Sequence, residues 1–443
     1  MKTFYESINI KNFLNLICQK DPLFYGQISF LTGIVLLSSA LPLSILFLLI
    51  SISISIKKNY QNFLLDKYNV ILLITSLLMI ISCSVRLILP SEDELSYLAK
   101  NSWVDLLNWI PLFISFYGFQ FYLSTSKQRI LFGKAFIIST FPVIFSCISQ
   151  YWFRIFGPFS TFFGLITWYQ KPFENNESGL TGLFSNPNYA GYWLATILPF
   201  SFYFFIKNKD KKFKNYFFLL NFILIIYLLI NTSSRNALLS VSISTMFLLS
   251  YKFLILCIFS LLIILILINL INPLFLVNLA EFLKIFLPTK LVDKFLLFSD
   301  LNINTFHRID IFKSSINLIL KKPLFGWGAT TFGILYALKG AISPATHTHN
   351  FILELSHNYG LIISLIITYL ILELLIKCWL LLKKKSQTTS FIDKFWLIST
   401  ITSVLFHMND IPYYDGKISI LFWILIAGVK CIISQKKSLN EAF

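Results

Sequence analysis

The sequence predicts an all-α, polytopic membrane protein with about twelve transmembrane helices and a large structured loop on the outer face. Three observations support this class. First, 56% of the 443 residues are hydrophobic and the mean hydropathy is +0.73. Second, apolar runs recur at lengths near ~20 residues, which cross a ~30 Å hydrocarbon core as helices. Third, these runs are continuous rather than alternating, which excludes a β-barrel.

The expected spans follow the apolar runs in chain order. The first two are short and Pro42 separates them, so one long broken helix is the alternative there. The spans are 27–40, 43–57, 68–89, 103–123, 130–150, 189–206, 214–231, 235–250, 252–270, 360–382, 394–409 and 418–434.

The net charge of +17 is distributed unevenly between the connections. With the N-terminus in the cytoplasm, the positive-inside rule is satisfied throughout and both termini are cytoplasmic. The basic residues then lie outside any soluble module, so the charge does not indicate nucleic-acid binding. The cytoplasmic connections hold Lys57, Lys58, Lys67, Lys127, Arg129, Lys207, Lys209, Lys211, Lys212, Lys214, Lys252, Lys383, Lys384, Lys385 and Lys394, and the outer loops hold Glu92, Asp93, Glu94, Asp410 and Asp415.

One membrane domain is expected over 1–443, with a long outer loop at 271–349 inside it. Within that loop, apolar spacing predicts short helices on the membrane over 283–298 and a further helix over 305–321. Pro323 ends the second helix, and Gly326-Trp327-Gly328 makes a turn. A long structured loop of this kind often carries function.

The six cysteines are scattered along the chain without a CxxC pair, which indicates apolar packing rather than disulfides or metal ligands. Walker, GxSxG, HExxH and dinucleotide motifs are absent from the sequence. An enzyme at the outer face has no ATP to use, so its donor must arrive already activated and bound to the membrane.

Two arginines are candidate anion ligands. Arg235 lies in Asn231-Thr-Ser-Ser-Arg-Asn-Ala, at the outer edge between two runs, and Arg308 begins the loop helix. Paired guanidiniums suit a diphosphate because each offers forked donors that match phosphate oxygens. The alternatives are an interfacial arginine at 235 that reaches headgroups and a surface pair of Arg308 with Asp310.

His349 is the candidate base, because imidazole can take a proton from a hydroxyl near neutral pH. It lies in His347-Thr-His-Asn350-Phe-Ile-Leu-Glu354-Leu-Ser-His357-Asn-Tyr-Gly360, at the outer end of a span. His347 is expected to point elsewhere. A metal site from these histidines and Glu354 is the alternative, although their spacing is not a standard ligand pattern on a helix. No metal is expected.

Five further polar residues could bind substrate. Asn186 and Asn188 flank Pro187 at the start of a span, and Asn350 follows the candidate base, so each also suits a helix cap. Asp410 and Asp415 bracket the last outer turn. Their carboxylates could orient an acceptor or simply form that turn.

Taken together, these residues resemble the O-antigen ligase/polymerase superfamily over about 185–430. The matching pieces are Ser185-Asn-Pro-Asn188, Ser234-Arg-Asn236, and the Arg308 helix that runs into Pro323-Leu-Phe-Gly-Trp-Gly. The most specific piece is His349-Asn350, nine residues, then Gly360. Ligases of the family usually carry Gly, Thr or Tyr three residues after that glycine, where this chain has Ile363.

The resemblance implies an inverting, metal-independent glycosyltransferase in the bacterial inner membrane, with its active site on the periplasmic side. Arg235 and Arg308 would hold an undecaprenyl-diphosphate glycan, and His349 would activate or position a hydroxyl of the lipid A core or of a growing glycan. No cofactor is implied, and the only other partners are membrane lipids. An O-antigen ligase is the first interpretation; a polymerase, a protein O-oligosaccharyltransferase and a lipid-linked sugar flippase are alternatives. A non-catalytic membrane protein does not explain the two arginines and the histidine at one depth.

Overall fold

A computed structural model describes 21–88, 99–172, 179–210, 212–247, 304–340, 345–383 and 390–441, with three isolated positions between 284 and 292. The predicted span 252–270 and the membrane-surface helices over 283–298 fall outside these ranges, apart from those three positions.

Helices dominate the described residues. A single short hairpin, β1 (Phe159–Thr161) paired antiparallel with β2 (Ile166–Trp168), lies between the sixth and seventh helices. The helices are α1 (Pro22–Leu36), α2 (Leu41–Asn59), α3 (Lys67–Ile88), α4 (Ala99–Asp105), α5 (Ile110–Gln120), α6 (Ser126–Trp152), α7 (Pro187–Lys207), α8 (Lys212–Asn231), α9 (Arg235–Met246), α10 (Asn304–Lys321), α11 (Phe332–Leu338), α12 (Phe351–Tyr359), α13 (Leu361–Lys383), α14 (Phe391–His407) and α15 (Gly416–Glu441).

Seven helical stretches among the described residues are long and apolar enough to cross a membrane. They are α2 with its short 3₁₀ extension to Leu65, then α3, α6, α7, α8, α13 and α15. The fold is therefore that of a helical, multi-pass membrane protein. The first apolar stretch forms two helices packed side by side, α1 and α2, rather than one broken helix. Pro42 stands in the first turn of α2, where a missing N–H costs nothing.

The run predicted as one span over 103–123 is interrupted in the structure. A 3₁₀ turn at Leu106–Asn108 separates α4 from α5. The cause is the buried carboxylate of Asp105, which accepts hydrogen bonds from Asn108 Nδ2 at 2.9 Å, Trp109 Nε1 at 3.3 Å and Tyr359 Oη at 2.7 Å. A charged acceptor inside the bundle has to be surrounded by donors, and the turn supplies them.

The helix bundle has two ends. At the basic end, the buried guanidinium of Arg129 donates from Nε to Asp393 Oδ1 at 2.8 Å and from Nη2 to Gln435 Oε1 at 2.6 Å. The site end is the opposite one, where α7, α9 and α12 begin and α14 finishes. Lysines mark helix termini of the basic end: Lys57, Lys58, Lys67, Lys127, Lys207, Lys214, Lys383, Lys394 and Lys430.

The helices α7, α14 and α15 form the most deeply buried part of the bundle. Their contacts are largely aromatic, as in the edge-to-face packing of Trp396 on Phe200, with ring centroids 5.5 Å apart. Four cysteines are described, and all are buried and unpaired, which agrees with the expected packing role. They are Cys83, Cys147, Cys378 and Cys431.

The segment after α10 packs on the junction between α12 and α13. Trp327 N donates to His357 O at 2.7 Å, and Leu361 N donates to Pro323 O at 2.8 Å. Two glycines with positive φ permit this approach. A Cβ at Gly326 would lie 2.4 Å from His357 O, and one at Gly360 would lie 2.0 Å from Leu324 O. The predicted helix over 305–321 and the turn after it are both confirmed.

Candidate functional site

The site is built around the turn 406–410, which follows α14. Three asparagines at the starts of three different helices donate their side-chain amides to it. Asn188 Nδ2 lies 2.8 Å from Asp410 Oδ2, Asn236 Nδ2 lies 2.8 Å from Phe406 O, and Asn350 Nδ2 lies 2.8 Å from Met408 O. The N-termini of α7, α9 and α12 therefore converge on one turn. Helix N-termini carry partial positive charge, so this is an electropositive place in the fold.

His349 and Asp410 form the polar centre of this arrangement. His349 Nδ1 lies 3.1 Å from Asp410 Oδ1, which also accepts from Ile411 N at 2.9 Å. Because a carboxylate accepts hydrogen bonds, Nδ1 carries the proton and Nε2 is left as the basic nitrogen. His349 also adopts φ +54°, a left-handed conformation that is strained for a non-glycine residue. The surrounding contacts hold it in place despite that strain.

The sequence predicts that His347 points away from His349. In the structure it instead lies against His349. Its ring centroid lies 4.3 Å from that of His349, and its Nε2 lies 3.8 Å from Asp410 Oδ1. Residues at i and i+2 face different directions in a helix, but residues 345–350 precede α12 and are not helical. Burial disfavours the charged imidazole, but contact with Asp410 and the negative charge of Glu354 overcome it and raise the pKa of His347.

Asp410 responds in the opposite direction. Burial favours its neutral form, yet the contacts from His347 and His349 outweigh this and hold the pKa of Asp410 well below its usual range. The carboxylate is therefore ionised at neutral pH. It fixes the tautomer and orientation of His349.

Arg235 and Arg308 are brought together from 73 positions apart. Arg235 is the first residue of α9 and is half-buried. It directly precedes Asn236, whose side-chain amide donates to the turn 406–410. Arg308 is partly buried near the start of α10, and its positive charge acts on Arg235. Like charges repel, and an anion bound near both would offset that repulsion. Asp310, the partner considered for Arg308, instead accepts from Tyr336 Oη at 2.6 Å.

Three of the residues that the sequence predicts to bind substrate cap helices in the structure. Asn186 Oδ1 accepts from Asn188 N at 2.8 Å, and Asn350 Oδ1 accepts from Ile352 N and Leu353 N. Asp415 caps α15 by accepting from Lys417 N at 2.9 Å. Burial raises the pKa of Asp415, and the charge of Lys417 opposes that shift. These three residues position helices around the site, while Asn188 orients Asp410.

Sequence reasoning missed a supporting contact behind the histidines. Glu354 Oε2 accepts from Thr348 N and from Thr348 Oγ1, each at 3.0 Å, and so ties the residue between the two histidines to α12. The i to i+6 spacing crosses a helix start and gives no periodic signal. His357 lies elsewhere, with Nε2 3.0 Å from Thr331 Oγ1.

The three residues that could hold a metal ion include Asp410, whereas the metal site considered from the sequence used Glu354 and His357. Ligand atoms of His347, His349 and Asp410 all lie within 4.8 Å of one another. Two imidazoles and a carboxylate can hold a divalent cation. Without an ion, His349 and Asp410 form a base with its orienting carboxylate, and His347 lies beside them.

Comparison with known proteins adds one match. Residues 220–368, about a third of the chain, match the family model of O-antigen ligase. No curated protein matches the chain. The matched segment contains Arg235, Arg308, His349 and Gly360, and it supports a membrane glycosyltransferase of the ligase or polymerase type. Residues 220–368 therefore belong to the O-antigen ligase family, and the resemblance predicted from the motifs is confirmed.

Proposed function

We propose that the protein is an O-antigen ligase, which moves a glycan from undecaprenyl diphosphate to a hydroxyl of a lipopolysaccharide core acceptor. One observation carries this proposal. Arg308 lies close enough to Arg235 for its charge to act on it, and Arg235 opens α9 at the turn 406–410, where two further helices begin and His349 contacts Asp410. An anion site next to an oriented base is what transfer from a diphosphate donor requires.

The proposed chemistry is an inverting displacement at the anomeric carbon. His349 Nε2 takes the proton of the acceptor hydroxyl while the acceptor oxygen forms a bond to that carbon. The bond from the carbon to the diphosphate breaks, and the electron pair leaves with the phosphate oxygen. Arg235 and Arg308 stabilise the growing charge, which fixed cations in a low-dielectric site do strongly. Asp410 stabilises the imidazolium that forms.

The proposed setting is the bacterial inner membrane, with about twelve spans, the site on the periplasmic side, and no nucleotide or metal in the reaction. The nine lysines at helix termini of the basic end support this orientation under the positive-inside rule. The apolar faces of α8 and α13 support access for a lipid-borne donor, because Leu220, Ile223, Leu365 and Tyr369 are exposed on the protein surface.

A polymerase that joins repeat units is the second candidate, and the family match favours it equally. Ile363, which departs from the ligase pattern, is 3% exposed and packs in the bundle. A deletion strain separates the two activities by its lipopolysaccharide bands. Loss of all polymer from the core indicates a ligase, whereas single-unit bands indicate a polymerase.

The test of the base is transfer in vitro from purified lipid-diphosphate glycan. His349→Asn is the sharpest variant, because asparagine tolerates the left-handed backbone at this position better than alanine does. We expect its rate to fall by ~10²–10⁴-fold, the usual contribution of general-base assistance, with donor binding retained. His347→Asn, the matched control, should be much milder.

Wild-type activity should survive a chelator. Full activity of His349→Asn would overturn the role assigned to this histidine. Activity that a chelator abolishes, and that added divalent cation restores, would instead make His347, His349 and Asp410 metal ligands.

A further inference from the structure

A separate cavity of about 460 Å³ lies between the β1–β2 hairpin and the starts of α2, α7 and α15. Its volume falls within the ~300–1,000 Å³ that small-molecule sites usually occupy. The lining side chains that matter here are Thr167, Ser185, Tyr189, Tyr414, Asp415 and Lys417.

The chemistry of this lining suits a sugar better than an anion. Tyr189 and Tyr414 contribute aromatic side chains to the lining, and Thr167 contributes a hydroxyl-bearing one. Asp415 and Lys417 contribute one acidic and one basic group, so the lining has no excess of basic groups to favour an anion. The Lys417 ammonium also lies 4.9 Å from the centroid of the Phe184 ring. A saccharide offers both hydroxyls for the polar groups and an apolar ring face for the aromatic ones.

The cavity adjoins the proposed transfer site through two connections. Tyr189 follows Asn188, whose amide holds Asp410. Tyr414 Oη donates to Glu354 Oε1 at 3.2 Å, and the other oxygen of Glu354 holds Thr348 between the two histidines. Residues that line the cavity are thus linked to the residues that hold the base.

The hairpin indicates which substrate enters here. It follows the end of α6 at the site end, and its tip is exposed at Phe162, Phe163 and Leu165. The side chain of Trp168 fixes its base by donating to Ser39 O at 2.8 Å. The arginines that suit the diphosphate lie on α9 and α10 instead. The cavity is thus formed partly by a segment outside the long helices, where a saccharide chain rather than a lipid tail would lie.

We propose that this cavity is an acceptor subsite, which binds a sugar unit next to the one whose hydroxyl reacts. This inference rests on the proposed function, because it assigns a place to the second substrate of the same reaction. Asp415 would accept hydrogen bonds from saccharide hydroxyls, and Tyr189 and Tyr414 would pack against the ring.

The test compares Asp415→Asn with wild type on two acceptors, a full lipid A core and one truncated to the sugar that reacts. We expect KM for the full core to rise on the order of 10-fold, as loss of one hydrogen bond to a charged group implies. Because asparagine can keep the cap that Asp415 provides for α15, KM for the truncated acceptor should change much less than KM for the full core. Equal loss on both acceptors, or an unchanged KM, would overturn the subsite.

Two threonines of the hairpin give a matched pair. Thr167 lines the cavity, whereas Thr161 is exposed on the other strand and does not. Thr167→Ala should raise KM for the full core a few-fold, and Thr161→Ala should leave it unaltered. The same effect from both would mean that the hairpin acts only through its fold.

Direct binding separates failure of the subsite from failure of the proposed function. Saturation-transfer NMR with free core oligosaccharide requires no turnover. Signals in wild type that weaken in Asp415→Asn would support the subsite even if the protein catalyses no transfer. Equal signals in both proteins would reject it even if transfer occurs.

Discussion

Residue-scale effects centre on His349, which combines a strained backbone with a specific hydrogen bond. A left-handed non-glycine residue costs on the order of 1–3 kcal/mol, so its surroundings must compensate. Asn350 starts α12 immediately after it, and Asp410 fixes its ring. His347 and His349 both lie against the carboxylate of Asp410 on either side of Thr348.

The titration of His347 tests this shared carboxylate. The pKa of His347 should lie above its ordinary value of 6.5, since Asp410 and Glu354 overcome the effect of burial. Asp410→Asn should lower that pKa, because burial then acts with only Glu354 against it. The interaction stabilises the fold below the unfolded pKa of His347 and is lost as pH rises through the higher folded pKa. NMR titration of ¹⁵N-histidine-labelled protein measures the pKa of His347. An unchanged pKa in Asp410→Asn would contradict the contact between His347 and Asp410.

A substitution of Arg308 that preserves its charge tests the role of the guanidinium group. Arg308→Lys keeps the cation but removes the forked donors that match phosphate, so transfer should fall sharply, by ~10-fold or more. Donor KM and kcat are measured with lipid-diphosphate glycan. Lys313→Arg on the same helix is the control, and it should behave as wild type. An unaffected Arg308→Lys enzyme would mean that Arg308 is only a surface cation.

At the scale of elements, the contact between the 323–327 segment and the α12–α13 junction orients the site. Hydrogen bonds from Trp327 N and Leu361 N join the two, and the guanidinium of Arg86 reaches Asn358 O at 2.9 Å. The nine residues of α12, between Asn350 and Gly360, thus run from the base to this contact. Their fixed length in the motif has a physical reason, since α12 must span that distance.

Gly360→Ala should damage this contact. The new Cβ would lie 2.0 Å from Leu324 O, in a backbone with φ +101°, so the 323–327 segment must shift. We expect a destabilisation of ~2–4 kcal/mol and a loss of transfer. Gly340→Ala is matched in backbone, with φ +76°, but its Cβ would meet nothing within 4 Å. Thermal unfolding in detergent should therefore separate the two, and equal shifts would show that backbone strain alone explains the effect.

Sequence and structure agree where the signal is local. The apolar runs and the helix over 305–321 could be predicted, because hydrophobic periodicity and helix capping depend on residues close together in the sequence. The break after Asp105 was not, since its partner Tyr359 lies 254 residues away. Likewise, the set of Asn188, His349 and Asp410 forms only after folding. The motifs predict the two arginines and the base, and they name Asp410 only as a substrate ligand, whereas in the structure its carboxylate contacts His349.

For the whole molecule, the separation of the basic end from the site end makes sidedness measurable. Truncation fusions to a reporter after Lys209, between α7 and α8, and after Lys339, at the end of α11, should report cytoplasm and periplasm respectively. The opposite signal at Lys339 would move every residue of the site to the cytoplasmic face. Fusion after Ser390, before α14, is a second cytoplasmic control.

The three helix starts around the turn 406–410 have a consequence for mutagenesis. Each start carries about half an elementary charge on its backbone N–H groups, so together they exceed the single charge of Asp410. These partial charges belong to peptide dipoles. No change of pH neutralises them and no side-chain substitution deletes them. Alanine variants of Arg235 and Arg308 should thus retain a residual affinity for inorganic diphosphate, and a complete scan of side chains would underestimate how much of the anion's attraction comes from the main chain.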